Sequence, residues 1–166
     1  MVLALCGLVV ETAAGGAETE WPRLVAPDSG FAISMPGPFE RQQKTTDNPS
    51  GPIVTTIWLT KDGTSLYLAG VTDYPVDISP QKELSLDRDN FLKAVDAKLV
   101  SETPIMLGGN AGLEFTGASA NQRYHSRVFV VGTRRSIQIA VRQDLSSLDD
   151  QKTARFFQSF QLNPKL

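Results

Sequence analysis

Through the last third of the chain, apolar and polar residues alternate with the period of two that marks strands packed on one face. The clearest case runs from Arg123 to Val131 and returns from Arg134 to Arg142. Gly132-Thr133 between them suits a two-residue type II′ turn, because glycine accepts a positive φ without a Cβ clash. That connection pairs Val131 with Arg134 and sets Tyr124, Ser126, Val128 and Val130 on one face with Arg135, Ile137, Ile139 and Val141. The other face carries Arg123, His125, Arg127, Phe129 and Val131 with Arg134, Ser136, Gln138, Ala140 and Arg142. A slip of one residue at the turn would regroup both faces.

The same logic extends upstream. Trp21 to Ala26 reads as a short edge strand, with Pro22 near its start where a missing donor does least harm. After a Pro27–Gly30 turn, Phe31, Ile33 and Met35 alternate with small residues and point to a core. The polar stretch from Glu40 to Pro52 reads as a surface loop or irregular arm. Ile53–Thr60 and Ser65–Thr72 form a hairpin about Asp62-Gly63, with Leu59 opposite Leu66, Ile57 opposite Leu68 and Trp58 opposite Tyr67. The aromatic pair reads as a sheet staple rather than a ligand platform. A third hairpin, Thr103–Leu107 with Ala111–Thr116, turns at Gly108-Gly109-Asn110.

Two segments switch to helical spacing. Ser85 is placed to cap a helix carrying Phe91, Leu92, Val95 and Leu99, with Lys98 near its end suited to the dipole. Ser147 with Asp150 three residues on resembles a capping box for a helix whose stripe is Leu148, Ala154, Phe157 and Phe160, stopped by Asn163-Pro164. The fold class is therefore α+β: an antiparallel sheet flanked by helices, an α/β/α sandwich.

The 166 residues suffice for one domain with a genuine core. An apolar content of 41% and a charged content of 20% are ordinary for a globular protein, and a net charge of −2 argues against general nucleic-acid binding. Val2 to Val10 is apolar and the small residues Ala13 to Ala17 follow, which resembles a secretory signal cut after Ala17, although no Lys or Arg precedes the run. Residues 1–17 are thus read as a leader and 18–166 as a single domain. The apolar run is too short to span a bilayer, which needs roughly 20 residues. Cys6 is the only cysteine, and the preceding Leu3-Ala4-Leu5 puts a bulky Leu where a lipidation site needs a small residue.

Residues that could carry chemistry are few. Gly117-Ala118-Ser119-Ala120-Asn121 lacks the final glycine of a nucleophile elbow, and nothing in the spacing ties a serine to His125, the only histidine. There is no Walker loop, and Gly108–Gly112 lacks dinucleotide spacing. Asp87-Arg88-Asp89 and Asp149-Asp150 fall in expected first helical turns, where acids complement the dipole without a metal. We expect no enzyme activity, no cofactor and no metal site. One feature stands out: no acid occurs between Glu114 and Asp144, whereas Arg123, Arg127, Arg134, Arg135 and Arg142 all do. On the register above, Arg123, His125, Arg127 and Arg142 gather on one face, a candidate site for carboxylates, phosphates or an anionic head group. Solvation, or pairing with helix acids such as Asp89 or Asp96, weighs more heavily than a binding role.

Phe31-x-Ile33-x-Met35-Pro36-Gly37-x-Phe39, Gly109-Asn110-Ala111-Gly112-Leu113-Glu114, the basic hairpin and Arg155-Phe156-Phe157-x-Ser159-Phe160 occur in that order. This pattern resembles the PsbP-like superfamily, particularly its small bacterial extracytoplasmic domains of the DcrB type. The resemblance implies a sheet sandwiched between helices, and non-catalytic binding of a protein partner as the shared theme. It transfers no functional residue by position. The expected function is a periplasmic or secreted adaptor that engages an envelope or membrane-associated protein, or a hydrophobic segment of one, with peripheral membrane association. The alternative is a carrier of a small anionic ligand or lipid in a pocket between sheet and helix. Oligomeric state is left open.

Overall fold

The computed structural model describes residues 19–163. Its elements follow in the order β1 (Arg23–Ala26), β2 (Phe31–Ser34), β3 (Glu40–Thr46), β4 (Ile53–Asp62), β5 (Ser65–Asp73), α1 (Pro80–Ala94), β6 (Lys98–Leu107), β7 (Asn110–Ala118), β8 (Gln122–Val131), β9 (Arg135–Asp144), α2 (Asp150–Gln158) and β10 (Gln161–Leu162). Seven strands form an antiparallel sheet in the order β3-β4-β5-β9-β8-β7-β6, and β1, β2 and β10 form a separate three-stranded sheet. The expected leader lies outside the described residues. Among those described, no helix is long and apolar enough to cross a membrane.

Each face of the large sheet buries its own core. On one side the small sheet and α2 press Phe31, Ile33, Met35 and Phe156 onto Trp58, Tyr67, Phe129, Ile137 and Ile139. On the other, Leu84 and Leu92 of α1 cover Leu113, Phe115, Val128 and Val130 of β7 and β8. Two glycines permit this closeness. A Cβ on Gly117 would come within 2.4 Å of Leu92 Cδ2, and one on Gly112 within 2.5 Å of Phe129 Cδ1.

The register of the β8–β9 hairpin departs from the sequence expectation by one residue. Val131 pairs with Arg135 instead of Arg134, so the connection is Gly132-Thr133-Arg134. It is tied down from outside: Tyr74 N–H donates to the Arg134 carbonyl and Ile78 N–H to that of Thr133, each at 2.8 Å. Ile137, Ile139 and Val141 thereby join His125, Arg127 and Phe129, while Ser136, Gln138, Ala140 and Arg142 join Tyr124, Ser126 and Val128. Burial favours this arrangement, because it places three almost fully buried β-branched residues under α2 and the small sheet.

Other elements shift for identifiable reasons. The β4–β5 turn is Gly63-Thr64, so Trp58 pairs with Ala69 and Thr60 with Tyr67. This two-residue change leaves Trp58 and Tyr67 on one face, and both are core residues. Trp58 meets Phe31 edge-on at 5.4 Å, and Tyr67 meets Phe156 at 5.2 Å. Residues 40–46, expected in a loop or arm, form an edge strand on β4. All seven are exposed, so no alternation marks them.

Helix α1 starts at Pro80 behind Ser79, and Ser85 lies inside it with its hydroxyl donating to Gln81 O at 3.1 Å. The helix ends at Ala94. Asp96, at φ 49°, turns the chain into β6, so Lys98 and Leu99 are strand residues. The cap of α2 is Asp149, whose carboxylate accepts the Lys152 N–H at 2.8 Å, not Ser147. Its buried side carries Thr153, Phe156 and Phe157, whereas Leu148 and Ala154 are exposed.

Candidate functional site

The register gathers Arg123, His125 and Arg127 beside α2 and sends Arg142 to the opposite face. The four-residue cluster expected from the sequence is therefore not one site. Arg123 donates to Gln143 Oε1 at 2.9 Å and pairs with Asp150 in the first turn of α2. Arg127 is paired across the ladder with Glu114, and its guanidinium lies 4.9 Å from the centre of the Phe157 ring. His125 places Nε2 3.5 Å from Glu114 and its ring 4.4 Å from that of Phe157. The expected pairing with helix acids thus occurs with Asp150 from α2, and with Glu114 from a neighbouring strand, in place of Asp89 or Asp96. Asp89 instead pairs with Arg88.

These contacts set the charge of the site. Burial pushes the Glu114 carboxyl up, but Arg127 and then His125 outweigh it, holding the group below its usual range. Burial lowers His125 more than Glu114 raises it, so the imidazole is neutral at pH 7. Two arginines and two carboxylates balance, leaving a polar wall without net charge. Among the described residues, no group of three or more His, Cys, Asp or Glu could hold a metal ion.

The wall borders two adjoining clefts. One, of about 270 Å³, is lined by His125, Arg127, Asp150, Ala154 and Phe157. The other, of about 350 Å³, shares Arg127 and Phe157 and continues over Phe129 and Phe160 to Ile105, Met106 and Leu107 of β6. Strand β6 is the outer strand of the large sheet beyond β7. It runs for ten residues. Val100 is 63% and Met106 74% exposed, and Leu99 is exposed beside them. The Leu99/Ser101 register shift leaves Val100 without a partner on β7. Sequence reasoning missed this edge because it assigned Lys98 and Leu99 to the helix and began the strand at Thr103. The signal available was the β-branched and apolar content of 98–107 immediately after Asp96-Ala97.

On the opposite face, Arg142 lines a cleft of about 300 Å³ together with Leu66, Leu68, Phe91, Val95, Tyr124 and Ala140. Its Nε is buried and has no hydrogen-bond partner among the described residues. A neighbouring cleft of about 170 Å³ shares Leu68 and Phe91 and reaches Ile57, Gly70, Ser136 and Asp87. Burial, then the charge of Glu83, pushes the Asp87 carboxyl up to about 6, and the Ser136 hydroxyl offsets this only in part.

With this geometry in view, comparison with solved structures places the architecture. The solution structure of cyanobacterial PsbP (CyanoP) from Synechocystis superposes with a TM-score of 0.62, covering 96% of this chain and 98% of that one at 12% identity. The fold is PsbP-like. A crystal structure from Bacteroides thetaiotaomicron matches at 10% identity and a TM-score of 0.41, covering 88% of this chain and 50% of that one. No family model and no curated protein matches the sequence. Within this PsbP-like fold, then, any reading of function rests on the chain's own surfaces.

Proposed function

We propose that this chain is a non-enzymatic extracytoplasmic binding domain that engages a protein partner through the β6 edge. One observation carries the reading: a ten-residue outer strand bearing exposed Val100 and Met106 borders the Arg127–Phe157 cleft. Soluble domains usually blunt such an edge with charges, a covering helix or a short strand, because its free N–H and C=O groups pair with any extended segment. Here Lys98, Glu102 and Pro104 interrupt the strand only locally. At the other end of the sheet, β3 is protected in the ordinary way, by an all-exposed polar sequence with Arg41 and Lys44.

The occupant is an extended segment of another protein, added as an eighth strand beside β6. Main-chain hydrogen bonds would supply affinity, and an apolar side chain set over Met106 would enter the cleft above Phe129 and Phe157. Arg123, His125 and Arg127, paired and neutral in sum, form the polar rim of that cleft. The apolar Val2–Val10 run and the small residues after it support export. If export occurs as read, mature protein from its own cells begins near Glu18; an intact Met1 in the cytosol would overturn that part.

A photo-crosslinking residue at Met106, in living cells, tests the edge. A discrete protein adduct is expected there and not at Gln42 on β3, and Val100→Lys should remove it without lowering the melting temperature. Equal adducts at both edges, or none at Met106, would refute the reading.

A further inference from the structure

The face that carries α1 holds a second feature, independent of the β6 reading. Helix α1 packs on β7 and β8. Beside it, Leu66 and Leu68 of β5 and Ile57 of β4 remain half-buried and bound the two adjoining clefts. Ser136, Gln138, Ala140 and Arg142 follow one another along β9 on this face. At about 3.4 Å per residue they define a line of ~20 Å from Ser136 to Arg142.

We propose that this groove binds a single acyl chain ending in an anionic group, with the chain along β5 and β9 and the anion on Arg142. The two ends differ in charge in a way that orients such a ligand. Arg88, Arg123, Arg127, Arg134 and Arg135 each have a carboxylate partner. Among the described residues, Arg142 has none, and its Nε is buried against apolar neighbours. A buried donor of this kind is costly to leave unmade, and a carboxylate or phosphate satisfies a guanidinium with charge-assisted bonds. At the far end the acids Glu83 and Asp87 repel an anion, so the head belongs at Arg142. The cleft around Arg142 is walled by Leu66, Leu68, Phe91, Val95 and Ala140 and has the size usual for small-molecule sites, whereas the neighbouring cleft adds the polar Thr55, Thr72, Ser136 and Gln138 to Ile57, Leu68 and Phe91. Gly70 leaves room in the floor: an added Cβ would meet only ordinary contacts, 3.6–3.7 Å from Thr56 O, Ile57 Cγ1 and Leu68 Cδ2.

Calorimetric titration of the full chain with laurate and with lauroyl lysophosphatidate, both below micelle formation, tests this. At least one anion should bind one-to-one, and which of them binds distinguishes a free carboxylate from a phosphate head. Dodecyltrimethylammonium and dodecyl maltoside should bind far less. Arg142→Gln should weaken the anion about tenfold or more, the usual worth of a charge-assisted bond. Gly70→Val should block the floor, and Lys44→Gln on the exposed β3 edge should change nothing. Melting curves show whether each variant is folded. In the unsubstituted protein, methyl resonances of Leu66, Leu68 and Val95 should shift with ligand. Failure of both anions to bind, equal binding of the cationic chain, full affinity in a folded Arg142→Gln variant, or shifts centred on Met106 would each overturn the proposal.

Discussion

Asp87→Asn is expected to stabilise the protein at neutral pH. The carboxyl sits on the sheet-facing side of α1 with Oδ2 buried and unpartnered among the described residues. Burial and the nearby Glu83 raise it from 3.8 to about 6. A group raised in the folded state favours folding fully below its unfolded value and loses that contribution as pH rises through its folded value. The shift of about two pH units, at ~1.4 kcal/mol each, sets a ceiling of about 3 kcal/mol on the cost of the charged form at pH 8. The neutral amide removes most of that cost and keeps the shape. Urea unfolding of both proteins from pH 3.5 to pH 8 provides the assay. The two should differ little at pH 3.5, diverge between about pH 4 and pH 6, and hold a steady gap of 2–3 kcal/mol above pH 7. A gap independent of pH, or a less stable Asn variant at pH 8, would refute the assignment of Asp87 as a buried, strained carboxylate.

Three further substitutions probe the packing and the polar cleft. Gly112→Ala forces a Cβ to within 2.5 Å of Phe129 Cδ1 and 2.9 Å of Val128 O, and should cost about 1–3 kcal/mol in thermal melts; an unchanged melting temperature would contradict the close approach. Phe156→Ala empties the contact with Tyr67 and should cost about 3–5 kcal/mol by denaturant titration, with a loss under 1 kcal/mol counting against its place in the core. Arg127→Gln should return the Glu114 carboxyl toward its ordinary range, followed by carbon-detected NMR titration; an unmoved titration would mean that the ion pair does not hold it down.

The elements most legible in the sequence were those with one face buried and the other exposed. Phe31, Ile33 and Met35 were recognisable as core residues because small residues separate them, and all three are fully buried. The antiparallel α+β class followed from the hairpins and two helical segments, and the PsbP-like resemblance agrees with the superposition on CyanoP. Strand β3 was invisible because a polar edge strand exposed on both sides has no period to read. The start of β6 was absorbed into α1, since Phe91, Leu92, Val95 and Leu99 happen to fit a helical stripe. The β8–β9 register was the costliest error for the site. Gly132 is at a positive φ of 66°, as its position in a turn requires, but turn length depends on bonds from Tyr74 and Ile78 far away in sequence. One residue in that loop decides whether Arg142 joins Arg127 or faces α1.

Amide hydrogen exchange on β6, with and without the crosslinked partner segment, is the most direct test of the proposed docking edge. In the free protein, the outward N–H groups of Lys98–Leu107 that no β7 carbonyl accepts should exchange quickly. On binding, those amides should become protected in the alternating pattern of a new antiparallel or parallel ladder, while β3 at the opposite edge stays unchanged. Protection confined to α1 or β3, with β6 exchanging as in the free chain, would contradict the account.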